Sequence, residues 1–98
     1  MAERKKYDPR IVAVGKMITE RRKALGKAYR SRDAFIENRS TELFGGNDWI
    51  SLRHLSSIEE GKNMPSIEML ITLAYALETD PVELFQQIID ILSGKKTK

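Results

Sequence analysis

The 98 residues predict an all-α domain of five short helices. Three observations carry that expectation. Apolar residues recur at three- and four-residue steps, and no stretch alternates with the two-residue period of a strand. Capping residues stand at Asp8, Ser31 and Asp80, and prolines at the first helical position follow both acids. Glycines at Gly26, Gly45-Gly46, Gly61 and Gly94 punctuate the apolar runs.

Met1 to Tyr7 reads as a mobile basic arm ahead of the first cap. Helix 1 runs from Pro9 to about Leu25, with Ile11, Val14, Ile18 and Leu25 inward, and stops at Gly26. Ser31 caps helix 2, which buries Phe35, Ile36, Leu43 and Phe44. Gly45-Gly46-Asn47-Asp48 is a loop signal. Helix 3 spans Ser51 to Glu60, with Leu52, Leu55 and Ile58 on one face, and Gly61 supplies the left-handed residue a C-cap needs. Helix 4 runs from Ser66 to Leu77, with Ile67, Leu70, Ile71, Ala74 and Leu77 inward. Asp80-Pro81-Val82-Glu83 is a capping-box arrangement that opens helix 5, which runs to about Leu92 and ends before Gly94. The domain therefore covers 8–92, followed by a basic tail over 93–98.

Composition narrows the function classes. Without cysteine there is no disulfide framework and no thiolate metal site, and a single histidine, His54, makes any metal site improbable. The N-terminus has no apolar run behind its charges, and no stretch nears the ~20 apolar residues of a membrane span. A cytoplasmic protein that needs no cofactor is the expectation. An enzyme is disfavoured: there is no nucleophile–histidine pattern and no glycine-rich phosphate loop, and Glu59 and Glu60 point about 100° apart on a helix. The net charge of +3 hides an asymmetry. Residues 1–32 hold 11 Lys/Arg and 3 Asp/Glu, residues 33–92 hold 3 and 11, and the tail adds three lysines. One end should attract phosphate and the other repel it, although solvated helix faces would give the same count.

Ile50 to Ser66 is the most informative stretch. The outer face of helix 3 offers Ser51, Arg53, His54, Ser56 and Ser57, with no acid before Glu59. Such a face suits the major groove of DNA, where Arg grips guanine O6 and N7 and serine pairs with several bases. It suits a solvated helix in a bundle equally well.

Further motifs carry a resemblance. Gly15-Lys16-Met17-Ile18 with Arg22, then Ile58-Glu59-Glu60-Gly61-Lys62, Pro65-Ser66, the Leu70, Leu73-Ala74, Leu77 series, and Asp80-Pro81 with Glu83-Leu84-Phe85 stand in order. Together, over Val14 to Phe85, they resemble the helix-turn-helix domain of the Cro/C1-type (XRE) family of phage repressors and bacterial regulators. The resemblance implies a five-helix, lambda-repressor-like DNA-binding domain in which Ser51, Leu52, Arg53 and Ser57 read bases. His54 lies beside them and fits a base contact, a phosphate contact or an idle surface position. Arg53 is the strongest base reader on chemistry alone. Ser31 and Arg32, at the start of helix 2, and Lys62 and Asn63, after the reading helix, are the expected phosphate contacts. Arg22 and Glu59 match the pair that ties helix 1 to the reading helix in this family.

The chain departs from the family between helices 2 and 3. Asn38 to Trp49 is about a dozen residues where a short turn is usual. Either helix 2 is longer, ending near Phe44, or the turn is a loop. Trp49 is expected to pack as a plug beneath that segment. Helix 5 carries Val82, Phe85, Ile88, Ile89 and Leu92, more apolar side chains than docking one short helix needs. A homodimer face of Phe85, Ile88, Ile89 and Leu92 is the expectation, and with it a near-palindromic operator. The function these readings support is a sequence-specific transcriptional regulator of double-stranded DNA, most simply a repressor. The competing reading is an antitoxin-type module that also binds a small protein partner.

Overall fold

The computed structural model describes residues 7–94. It contains five α-helices: α1 (Pro9–Ala24), α2 (Arg32–Leu43), α3 (Leu52–Glu59), α4 (Ile67–Ala76) and α5 (Pro81–Ser93). A 3-10 turn, Lys27–Tyr29, joins α1 to α2, and no strand occurs among the described residues. Met1 to Lys6 and Lys95 to Lys98, the bulk of the expected arm and tail, lie outside the described residues. Ser93, assigned above to the tail, belongs to α5.

Each helix starts where its cap chemistry says it should. Asp8, Ser31, Ser51, Ser66 and Asp80 all have extended backbone, and each side chain accepts a hydrogen bond from a backbone N–H two or three residues on. These bonds satisfy donors that an α-helix leaves unpaired at its first turn. The capping box expected at Asp80 is only half present. Asp80 accepts from Val82 N at 2.9 Å, and among the described residues Glu83 returns no bond. Gly61 and Gly94 close α3 and α5 with φ of 79° and 76°.

The core draws on every helix: Val14 and Ile18, Phe35, Leu55 and Ile58, Leu70, Leu73 and Ala74, then Leu84 and Ile88. Helix α1 packs on α3 and α5, α2 on α3, and α4 on α5. Gly15 lets α1 approach α3. A Cβ at this position would stand 2.5 Å from the carbonyl oxygens of both Ile58 and Glu59.

The segment between α2 and α3 combines both alternatives: α2 runs on to Leu43, and a short loop completes the link. Phe44 N and Gly46 N both donate to Ser40 O, at 3.0 and 2.9 Å, and Ser40 Oγ donates to Asn47 O at 2.7 Å. Trp49 plugs the joint as expected. Its ring stacks on Phe44 at 4.8 Å, meets Phe35 edge-on at 5.7 Å, and its Nε1 donates to Ile36 O at 3.0 Å.

Three residues expected to face inward do not, and Leu52, which lay on the apolar face of helix 3 yet among the base readers, is exposed too. Leu43, Leu52 and Ile67 are 46%, 45% and 67% exposed, and Ile71 lies at the rim. Helix α4 is apolar on most sides, so its periodicity does not identify the buried face. The core takes Leu70, Leu73, Ala74 and Leu77, and Ala76 on the adjoining flank. Leu52 sits in the first turn of α3, beyond the reach of the core, and Leu43 lies on the outer side of the last turn of α2.

A buried arginine that the sequence did not flag holds the lengthened α2 in place. Arg39 Nε donates to Ala76 O at 2.8 Å, its Nη1 to Glu42 at 2.9 Å and its Nη2 to Glu78 at 2.7 Å. The guanidinium also lies 4.3 Å from the centre of the Tyr29 ring. A cation on the last carbonyls of α4 complements the negative end of its dipole. Glu78 adopts the left-handed conformation, φ 60°, that turns the chain from α4 towards α5.

Candidate nucleic-acid interface

Helix α3 presents a protruding first turn. Ser51, Leu52, Arg53 and His54 are all exposed, and burial begins only at Leu55. The inward positions Leu55, Ile58 and Glu59 fall on one helical stripe, which leaves the opposite face to solvent. Ser51 Oγ accepts from His54 N at 3.0 Å, so its hydroxyl hydrogen remains free to donate outward. Arg53 meets no carboxylate among the described residues. Ser57, one turn after Arg53, is half-buried.

The orientation of α3 rests on an internal ion pair. Arg22 Nε and Nη2 donate to the two carboxylate oxygens of Glu59 at 2.8 and 2.9 Å. Both side chains are almost wholly buried. The remaining Arg22 nitrogen donates to the carbonyls of Tyr29 and Arg30, so the guanidinium is satisfied. Burial alone pushes the Glu59 carboxyl up, but the bonds from Arg22 and then Arg32 outweigh it and hold the group below the ordinary carboxylate value. The pair expected between helix 1 and the reading helix is therefore present as a two-pronged contact.

The expected phosphate contacts fall into one neighbourhood. Ser31 caps α2, accepting from Ala34 N at 3.1 Å, and is exposed. Lys62 and Asn63 are exposed beyond the end of α3. Arg32 connects the two places: its Nε donates to Glu59 at 2.7 Å and its Nη1 to Ser56 Oγ at 3.1 Å and Glu60 at 3.3 Å. Lys62 Nζ stands 3.2 Å from the other Glu60 oxygen. The Arg32–Glu59 contact, the part taken by Ser56, and the sharing of Glu60 were not foreseen. Only the folded arrangement brings the start of α2 to the end of α3.

The residues expected at a dimer face divide by burial. Ile88 is 4% exposed and forms the floor of a groove between α4 and α5, while Phe85 and Leu92 are half-buried. Ile89 and Val82 are 55% and 73% exposed, and Ile67 from α4 lines the same groove. No group of acidic or histidine side chains among the described residues is arranged to hold a metal ion. None of their helices is long and apolar enough to cross a membrane.

No curated protein and no solved structure matches the chain. The family model described as Helix-turn-helix matches residues 45–84. That span contains the loop before α3, the protruding first turn, the Ile58-Glu59-Glu60-Gly61-Lys62 motif, all of α4 and the first turn of α5. The match over residues 45–84 bears out the resemblance to the Cro/C1-type helix-turn-helix family and supports a DNA-binding transcription regulator.

Proposed function

We propose that the chain is a sequence-specific repressor that inserts α3 into the major groove and binds as a homodimer. The observation that carries this is the exposed first turn of α3, where Arg53 meets no carboxylate among the described residues. Arg53 reads a guanine, with Ser51, Leu52, His54 and Ser57 around it. Leu52, 45% exposed, offers an apolar contact to a thymine methyl. Ser31, Arg32, Lys62 and Asn63 bind backbone phosphates and set the register.

Selection of bound duplexes from a random pool tests the reading. A recovered consensus with two half-sites about 34 Å apart is the expected result. Arg53→Ala should then lose about 1–3 kcal/mol of discrimination at one base position. An equal loss for every sequence would make Arg53 a phosphate contact and remove it from the base-reading set.

The exposed apolar groove between α4 and α5 favours the dimer, with Phe85, Ile88, Ile89 and Leu92 as its face. The same groove supports the second reading, an antitoxin-type module whose groove is covered by a different small protein. Co-purification with such a chain, in place of self-association, would select it.

A further inference from the structure

Two cations at the end of the reading helix share one carboxylate. Glu60 receives Arg32 Nη1 on one oxygen at 3.3 Å and Lys62 Nζ on the other at 3.2 Å. Arg32 and Lys62 are the two charged side chains assigned above to phosphate. We propose that Glu60 is a built-in restraint on DNA affinity, an anion that occupies both phosphate-binding cations in the free protein and opposes the backbone when a duplex docks. The proposal rests on the DNA-binding reading of α3.

A carboxylate and a phosphate make the same demand on guanidinium and ammonium: both are anions that only accept. Glu60 is thus an internal substitute for the ligand. Its own pKa is held below the ordinary carboxylate value, by the hydrogen bond from Lys62 first, so it stays charged at neutral pH. Arg32 does not depend on Glu60 for its place. Its Nε is fixed on Glu59 at 2.7 Å and its Nη1 also reaches Ser56. Lys62, by contrast, is a flexible point charge whose only carboxylate partner among the described residues is Glu60. Docking therefore leaves Arg32 posted at the interface and frees Lys62 to turn outward.

Glu60 has no role in the core that would explain its position. Its side chain is 43% exposed, whereas the adjacent Glu59 is fully buried and carries the link to α1. Its backbone N–H, which any residue supplies, closes α3 on Ser56 O at 2.9 Å. The cost it imposes is electrostatic and falls on all sequences alike. Discrimination is then left to the base contacts, while residence on random DNA is shortened.

The test is binding of the full chain to a selected duplex and to a random duplex, between ~50 and ~200 mM salt. Glu60→Gln should bind both about eightfold more tightly at ~0.1 M salt, with a slope of log K against log salt steeper by about 0.9, as for one more neutralised phosphate. Glu60→Ala should do the same, and Glu60→Asp should stay near wild type. Adding Lys62→Gln to Glu60→Gln should return the slope towards the wild-type value. Wild-type binding with no gain in either neutral variant overturns the restraint alone. A wild type that binds neither duplex removes the DNA-binding reading and this proposal with it.

Discussion

Glu59 keeps its charge in the interior because two arginines hold it there. Taking a carboxylate and a guanidinium out of water is costly, so a pair like Arg22–Glu59 stabilises weakly overall yet leaves a stranded charge when one partner is lost. Arg22→Ala and Glu59→Ala should each cost about 3–5 kcal/mol, with the double variant well short of the sum. Urea melts of the three variants check this, and simple additivity would show that the two do not interact. The pair also sets a pH dependence. The Glu59 pKa is lowered in the folded chain from its ordinary 4.5, burial raising it but Arg22 and Arg32 lowering it more. A depressed carboxylate stabilises fully above its ordinary value and loses that stability as pH falls through the folded value. Melting temperature should therefore drop more steeply below about pH 4.5 in wild type than in Glu59→Gln. Parallel curves for the two would assign the acid transition to other carboxylates.

Helix α1 meets α3 through a position with no side chain. A Cβ at Gly15 would press on the carbonyl oxygens of Ile58 and Glu59, which are backbone and cannot rotate aside. Gly15→Ala should therefore cost about 1–3 kcal/mol as overpacking, despite alanine's better helix propensity. Chemical denaturation measures it, and a neutral or stabilising result would mean that α1 shifts without loss. The helix boundaries were legible in the sequence because caps and glycines are local signals, except the end of α2, where a longer helix and a loop had both remained open. The Arg22–Glu59 pair was legible too, through the resemblance. The inward face of α4 was not, since Ile67, Leu70, Ile71 and Leu73 are alike in polarity and only tertiary packing chooses among them. Arg39 was hidden for a different reason. An arginine in a polar helix signals solvent, and its partners Ala76, Glu78 and Tyr29 lie on other elements. The Arg32–Glu60–Lys62 cluster was hidden in the same way, because Arg32 comes from a segment separate from Glu60 and Lys62.

At the scale of the molecule, the exposed apolar groove and the cluster of basic contacts are built from different helices. Ile67 and Ile89 stand exposed on the α4–α5 groove and Val82 at the start of α5, while the basic contacts gather at the start of α2 and the end of α3. A two-fold pair closing on that groove leaves both α3 helices free to read. Ile89→Glu should abolish self-association while leaving helix content unchanged, since Ile89 is 55% exposed in the monomer. Sedimentation with and without the selected duplex follows it. A variant that still pairs on DNA would move the contact away from α5.

Trp49, the chain's single tryptophan, sits at the joint between the lengthened α2 and the cap of α3. Stacked on Phe44 and bonded to Ile36 O, it is an optical probe already in place at the joint ahead of α3. Its emission follows the seating of that joint, whereas circular dichroism follows all five helices at once. Coincident unfolding curves by the two signals mean that the reading helix is held by the whole domain. An earlier fluorescence transition means that the joint loosens while the body stands, and the chain then meets its duplex with a reading helix still free to adjust its angle.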